Sequence, residues 1–276
     1  MNIGFIGTGN MGKILIDAFI ESKAVRPSKI TIMNRTKKRA KEIQQQHKKI
    51  HVADTAEEVV HASKVIFICV KPLDIHPLLI KLEPLLTKEH CIVSITSPIS
   101  VEQIERLIPS QAARIIPSIT NRALAGVSLF TFGERCTPFY QNYLHELFSS
   151  MSKPVAIDQA ITRVSSDIVS CGPAFFSFLL QRFIDAAVQE TNISEEEATV
   201  MASDMIIGMG KLLEKEIFTL PTLQDKVCVK GGVTGEGIKV LEAELGEMFV
   251  HVFQKTHEKF DEDIELVHNQ FDSLIP

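Results

Sequence analysis

Gly7, Gly9 and Gly12 stand in the run Gly-Thr-Gly-Asn-Met-Gly, directly after a short apolar segment containing Ile3, Phe5 and Ile6. Glycines at this spacing let a backbone close on a polyanion. Gly7 allows a tight turn out of a strand, Gly9 lacks the Cβ that would keep a pyrophosphate away, and Gly12 lets the next helix pack close to the sheet. The free N–H groups and positive dipole end of that helix then face the anion. Thr8, Asn10 and Met11 complete the loop and join the candidate cofactor contacts. A second group follows at Asn34, Arg35 and Thr36, succeeded by Lys37 and Lys38, with no carboxylate. In nicotinamide-binding folds the end of the second strand meets the adenosine ribose, where an acid favours NAD and a base with small hydroxyls favours NADP. Arg35 can stack on adenine and pair with a phosphate, and Thr36 can donate a hydrogen bond. The plainer alternative is a solvated basic helix start, but cations are unfavourable there unless an anion is present. The expected cofactor is therefore NADP(H).

The elements that must position these residues alternate. Residues 30–33 read as a strand, 37–46 as a polar helix, 65–70 as a continuous apolar strand ending at Lys71-Pro72, 91–95 and 114–116 as further strands, and 101–107 as a helix. Residues 127–132 and 154–156 extend the sheet. A run apolar on both faces suits a buried parallel strand, and the repeated β-α order predicts an α/β fold with an N-terminal doubly wound parallel sheet of the Rossmann type. After residue 158 the pattern turns helical. Residues 175–188 and 198–213 are apolar almost all round, which predicts burial in a core or a subunit interface. A last long helix is expected over 234–260, with Ile238, Leu241, Leu245, Met248, Phe249 and Val252 on one face. The expected domains are 1–158, dinucleotide-binding, and 159–276, helical and dimerising, with an intertwined homodimer as the assembly.

Composition excludes several classes. The 276 residues carry a net charge of −5, with scattered basic residues and no Trp between them, which argues against a nucleic-acid or anionic-membrane surface. The five cysteines form no close pair, so neither a zinc site nor a disulfide framework is expected. The nine histidines are dispersed, and His251 and His257, six apart, do not share a helix face as a metal pair would. No apolar run is long enough to span a bilayer and no targeting signal is evident, which points to a cytoplasmic protein.

Taken together, the motifs resemble the pyrroline-5-carboxylate reductase family over nearly the whole chain. Residues 3–11 look like that family's opening. Val70-Lys71-Pro72 matches its Val-Lys-Pro element, which implies cofactor contact. Gly172-Pro173-Ala174 matches the end of its Ser-Gly-Ser-Gly-Pro-Ala-Tyr segment, and Gly231-Gly232-Val233-Thr234 its Pro-Gly-Gly-Thr-Thr turn. The resemblance implies NADPH-dependent reduction of a cyclic imine, 1-pyrroline-5-carboxylate to proline. It also implies a homodimer that in this family can assemble into rings of dimers. Lys230, Gly231, Gly232, Val233 and Thr234 are then the substrate-binding candidates. Thr234 is the catalytic candidate, orienting and hydrogen-bonding the imine because a threonine is too weak an acid to protonate it alone. A helix N-cap is its structural alternative.

The substrate motifs depart from the family. Met-Pro-Asn-Thr-Pro becomes Ile116-Pro117-Ser118-Ile119-Thr120, and its Ala-Gly becomes Ser97-Pro98. Cys171 and Cys228 replace hydroxyl residues, and Val229 and Val233 replace small donors. Losing one hydrogen bond to a charged group costs about 1.5–3 kcal/mol, so two losses weaken a small acid by about a hundredfold or more. Lys230 would restore a charge if it faced the pocket. Two proximate thiols at Cys171 and Cys228 would make the site redox-sensitive; the alternative is that each fills a small apolar hole. The pattern resembles a competence-linked branch of the family, so the alternative function is a weakly or non-catalytic NADP-binding regulatory paralogue. A β-hydroxyacid dehydrogenase is weaker still, because Lys211 has no accompanying Asn.

Overall fold

A computed structural model describes residues 1–272. Eight strands form one sheet in the order β3-β2-β1-β4-β5-β6-β7-β8: β1 (Ile3–Ile6), β2 (Ile30–Met33), β3 (His51–Val52), β4 (Val65–Ile68), β5 (Cys91–Ser94), β6 (Gln111–Ile116), β7 (Val127–Phe132) and β8 (Lys153–Ala156). Every neighbouring pair is parallel except β6 and β7. The expected doubly wound sheet is present, with one antiparallel step. The strand order reverses between β1 and β4, and this reversal opens a crevice at their carboxyl ends.

Strand alternation sorts the core into two layers. Ile3, Phe5, Ile30, Ile32, Val65, Phe67, Val93 and Ile115 face one way. They pack against Leu15, Ile16 and Phe19 of α1 (Asn10–Glu21), Ala40 and Ile43 of α2 (Lys37–Gln46), and Leu144 and Phe148 further along the chain. Phe5 stacks on Phe67 at 4.8 Å between centroids, and Phe148 meets Phe19 edge-on at 5.2 Å. Ile6, Ile66, Ile68 and Ile92 face the other way. They pack against Val59 and Val60 of α3 (Ala56–Ala62), Ile75, Leu79 and Leu82 of α4 (Pro72–Leu82), and Ile104 of α5 (Val101–Leu107). The strand expected over 65–70 ends at Ile68, because the backbone turns at Cys69 and Val70 to reach Lys71, the N-cap of α4, with Pro72 at its first position.

After α6 (Pro138–Ser149), a short helix α7 (Thr162–Ser166) continues through one π-turn (Asp167–Cys171) into α8 (Gly172–Glu190), followed by α9 (Glu195–Glu214), α10 (Leu220–Val227), α11 (Val233–Leu245) and α12 (Met248–Asp272). The single helix expected over 234–260 is two helices. Gly246 has φ +44°, a left-handed conformation that α-helix cannot carry, and it breaks the rod. The chain divides into two compact units, Met1–Pro173 with Lys255 onward, and Ala174–Gln254.

Within the first unit, the end of α12 returns to the second core layer. Val267 and Phe271 are buried there, Phe271 lies 4.8 Å from the His76 ring, and Gln270 donates to the Leu73 carbonyl of α4. The second unit is entirely helical and holds a small core of Ile184, Ala198 and Ala202. Many of its other apolar side chains, Phe176, Phe178, Phe183, Met201, Met205 and Ile207 among them, are exposed. Among the described residues no helix is long and apolar enough to cross a membrane.

Candidate functional site

In the first unit, a cavity of about 430 Å³ lies at the carboxyl ends of β1, β2 and β4, where the strand order reverses. Gly7, Gly9, Asn34, Arg35, Thr36, Arg39, Val70 and Lys71 are among its lining residues. The three glycines separate by what a Cβ would meet. At Gly7, with φ +99°, it would stand 2.4 Å from the Cys69 carbonyl, and at Gly12 it would stand 2.5 Å from the Gly7 carbonyl. Both positions are forced by the protein's own packing. At Gly9 nothing lies within 4 Å. The missing side chain there serves no internal contact and leaves room for a ligand.

Gly9 is also the N-cap of α1. No side chain caps that helix, and its first turn holds no acid. An uncapped N-terminus leaves backbone donors and a positive end for an anion. Beside it, Thr8 is 4 % exposed and its Oγ1 has no hydrogen-bond partner. The Thr8 N–H donates to Asn34 Oδ1 at 2.9 Å, and Asn34 Nδ2 donates to the Thr36 carbonyl at 3.1 Å, so one amide ties the glycine loop to the end of β2. These features fit a dinucleotide phosphate group. Asn10 and Thr8 line an adjoining depression, while Met11, Gly12 and Pro72 are set back from both.

At the end of β2 the cations are not those that follow Thr36 directly. Lys37 is held by Asp54, whose carboxyl is kept below its ordinary value by the lysine's hydrogen bond and charge. Arg39, in the first turn of α2, lines the cleft instead, as do Asp74 and Lys81, the latter paired with Glu57 at 2.8 Å. The sequence signal for Arg39 was its place in the basic start of the helix that follows Arg35 and Thr36.

The family-like substrate segments are engaged with each other in the first unit. Ser118 Oγ donates to the Val169 carbonyl at 2.7 Å, and Ser170 Oγ donates to the Pro117 carbonyl at 2.9 Å. Both hydroxyl protons are thus spent on joining the end of β6 to the π-turn. Asp167 in that turn is fully enclosed. Its Oδ1 accepts from Arg163 at 2.8 Å and its Oδ2 from Thr256 at 2.7 Å, and Arg163 lies over the Phe260 ring. Arg163 also reaches the Cys171 sulfur at 3.4 Å, and burial is the main cause that raises the Cys171 thiol above its ordinary pKa.

The second unit carries residues 230–234. Gly232, not Thr234, is the N-cap of α11, and no side chain caps the helix. Thr234 is the second helical residue, and its hydroxyl makes no hydrogen bond among the described residues. The capping alternative for Thr234 is therefore absent from the structure. Gly231 makes the turn with φ +75°, and Lys230 and Val233 are exposed. Cys228 caps the end of α10 as a free thiol, in a different unit from Cys171. Among the described residues no group of three metal-ligating side chains occurs.

Comparison with known proteins bears on these placements. Residues 2–98 match the family described as NADP oxidoreductase, coenzyme F420-dependent, and residues 159–263 match pyrroline-5-carboxylate reductase dimerisation. Over 271 residues, 98 % of this chain and 99 % of the relative, the sequence is 58 % identical to ComE operon protein 4 of Bacillus subtilis. It is 29 % identical to pyrroline-5-carboxylate reductase 3 of the same organism, over 94 % of this chain and 95 % of that one. The chain belongs to the pyrroline-5-carboxylate reductase family. Solved structures share its fold. Pyrroline carboxylate reductase of Plasmodium falciparum with NADP bound superposes with a TM-score of 0.81 at 19 % identity, covering 99 % of this chain and 98 % of that one. The Coxiella burnetii pyrroline-5-carboxylate reductase gives 0.84 at 20 %, covering 95 % and 98 %. The second unit, with its exposed apolar helices, lies within the region that matches the family's dimerisation model.

Proposed function

We propose that the protein is an NADPH-dependent reductase of a cyclic imine, of the 1-pyrroline-5-carboxylate-to-proline type, with an altered substrate pocket, working in the cytoplasm as a homodimer. The observation that carries the reading is the pair of uncapped helix starts. One, at Gly9, opens beside Arg35 and Arg39. The other, at Gly232, opens beside an unengaged Thr234 hydroxyl. When bound, NADPH supplies the hydride. The amides at the start of α1 hold its diphosphate, and Arg35, Thr36 and Arg39 hold its ribose phosphate. The N–H groups of Gly231 and Val233 take the substrate carboxylate, that of Gly232 being engaged with the Val229 carbonyl at 2.9 Å, and Lys230 adds charge. The Thr234 hydroxyl hydrogen-bonds the imine nitrogen and orients the C=N carbon.

A second reading is a weakly or non-catalytic NADP-binding regulator linked to competence. Two observations favour it. The relative at 58 % identity is named ComE operon protein 4 rather than as a reductase, and the Ser118 and Ser170 hydroxyls are spent on backbone carbonyls rather than left for a ligand. NADPH oxidation with 1-pyrroline-5-carboxylate separates the two, run with Thr234→Val, which removes the hydroxyl but keeps the shape. Turnover at about 1–10³ s⁻¹ that falls at least tenfold in Thr234→Val supports the reductase. Tight NADPH binding without turnover rejects it in favour of the regulator.

A further inference from the structure

Residues 35–49 hold seven Lys or Arg and one carboxylate, Glu42, in a chain whose net charge is −5. These basic residues lie on α2 and its flanks. The first turn of α2 contains Lys37, Lys38 and Arg39, no acid and no side-chain cap. Cations at that end oppose the helix dipole, so they weaken the helix they sit on. Lys37 is compensated by Asp54. Lys38 and Lys41 are exposed and form no ion pair among the described residues; Lys41 only adds to the positive field on Asp54.

Their place relative to the cleft is specific. Lys38 and Lys41 line a shallow depression with Glu42 and Gln45. Glu42 and Gln45 also line the next depression, which reaches Arg39, Gly9 and Thr8. Arg39 and Gly9 in turn line the cleft itself. One continuous surface thus runs from the two lysines over α2 to the uncapped start of α1, and its unpaired charges are positive except for Glu42 and, in the cleft itself, Asp74.

We propose that the Lys38–Lys41 face of α2 is an electrostatic guide for the dinucleotide, speeding its capture without touching it once bound. The inference rests on the NADPH reading above. Cations beside a cleft concentrate an anionic ligand and raise its association rate, an effect that salt removes. A charge that does not touch the bound ligand acts on association and leaves dissociation alone. The guide works over the Debye length, about 30 Å at 0.01 M salt and 8 Å at physiological strength. NADPH, with one more phosphate than NADH, is favoured at the encounter.

The test is stopped-flow nucleotide fluorescence on the full chain at about 10 mM ionic strength, with NADPH and NADH. The wild type is compared with Lys38→Gln/Lys41→Gln and with a charge-matched control, Lys29→Gln/Lys88→Gln. Those control lysines precede β2 and β5 at the opposite end of the parallel strands. The expected result is an NADPH association rate roughly threefold to tenfold lower in the first variant. Its dissociation rate should be unchanged, the loss for NADH smaller, the control at wild-type speed, and the difference gone at high salt. Equal association rates, faster dissociation, or an equally slow control would overturn the guide. A wild type that gives no NADPH signal at all would instead overturn the cofactor reading, and the guide with it.

Discussion

Asn34 accepts a hydrogen bond from the backbone N–H of Thr8 at 2.9 Å, across 26 positions of sequence. Its other amide atom donates to the carbonyl of Thr36. One side chain therefore sets the distance between the glycine loop that would hold the diphosphate and the strand end that would hold the ribose phosphate. Removing it should loosen both. Asn34→Ala is expected to raise the NADPH dissociation constant about tenfold, one lost hydrogen bond of ~1.4 kcal/mol. Asn34→Asp keeps the acceptor but puts a carboxylate where an acid favours NAD. Fluorescence titration should then show the NADPH-to-NADH preference shrinking.

The glycines give opposite results when tested in the same way. Gly9→Ala meets no protein atom within 4 Å, so its melting temperature should match the wild type while NADPH affinity falls at least tenfold. Gly7→Ala and Gly12→Ala each place a methyl about 2.5 Å from a backbone carbonyl, and overpacking of this kind costs roughly 1–3 kcal/mol or more. Differential scanning fluorimetry with and without NADPH reads both effects. A destabilised Gly9→Ala would contradict the account of the cleft.

Arg39 should act with Arg35 on the extra phosphate alone. Arg39→Ala is expected to cost NADPH binding about 1.5–3 kcal/mol, roughly 10- to 100-fold, and to leave NADH affinity within about twofold. Lys37→Ala, whose charge is already taken by Asp54, should do much less. Isothermal titration with both nucleotides decides it.

The enclosed Asp167 predicts a stability effect of a different kind. Asp167→Ala leaves Arg163 without its partner, and breaking a buried pair costs ~3–5 kcal/mol. Thr256→Val removes one hydrogen bond to the same carboxylate and should cost about 1–3 kcal/mol. The double variant Asp167→Leu/Arg163→Met should recover most of the loss, since an apolar pair of similar volume replaces two desolvated ions. Urea unfolding midpoints measure all three.

Much of the site could be read along the chain because its parts are local. The turn at Gly7, the start of α1 and the base-for-acid exchange at Arg35 each lie within a few residues. Short apolar runs in a repeated β-α order likewise placed the sheet. The misread features depend on distant segments or on one residue's conformation. The break at Gly246 hides inside an apolar periodicity that runs through residues 238–252 without interruption. Thr234 sits where a cap could stand, and only backbone geometry shows that Gly232 holds the position. Arg39 belongs to the site by helix phase rather than by adjacency to Thr36.

By itself, the sequence determined the glycine loop, the alternating α/β unit, the helical second half and the family likeness. Short-range sterics and hydrophobic period are carried by neighbouring residues. Tertiary structure alone decided that Asn34 binds Thr8, that Ser118 and Ser170 spend their hydroxyls on each other's segments, and that Asp167 meets Thr256 from 89 positions away. It also decided that Phe271 returns to the helix beside the cleft. Each of these joins segments that only folding brings together. Burial penalises an enclosed polar group that lacks a partner, and these groups find theirs in distant parts of the chain.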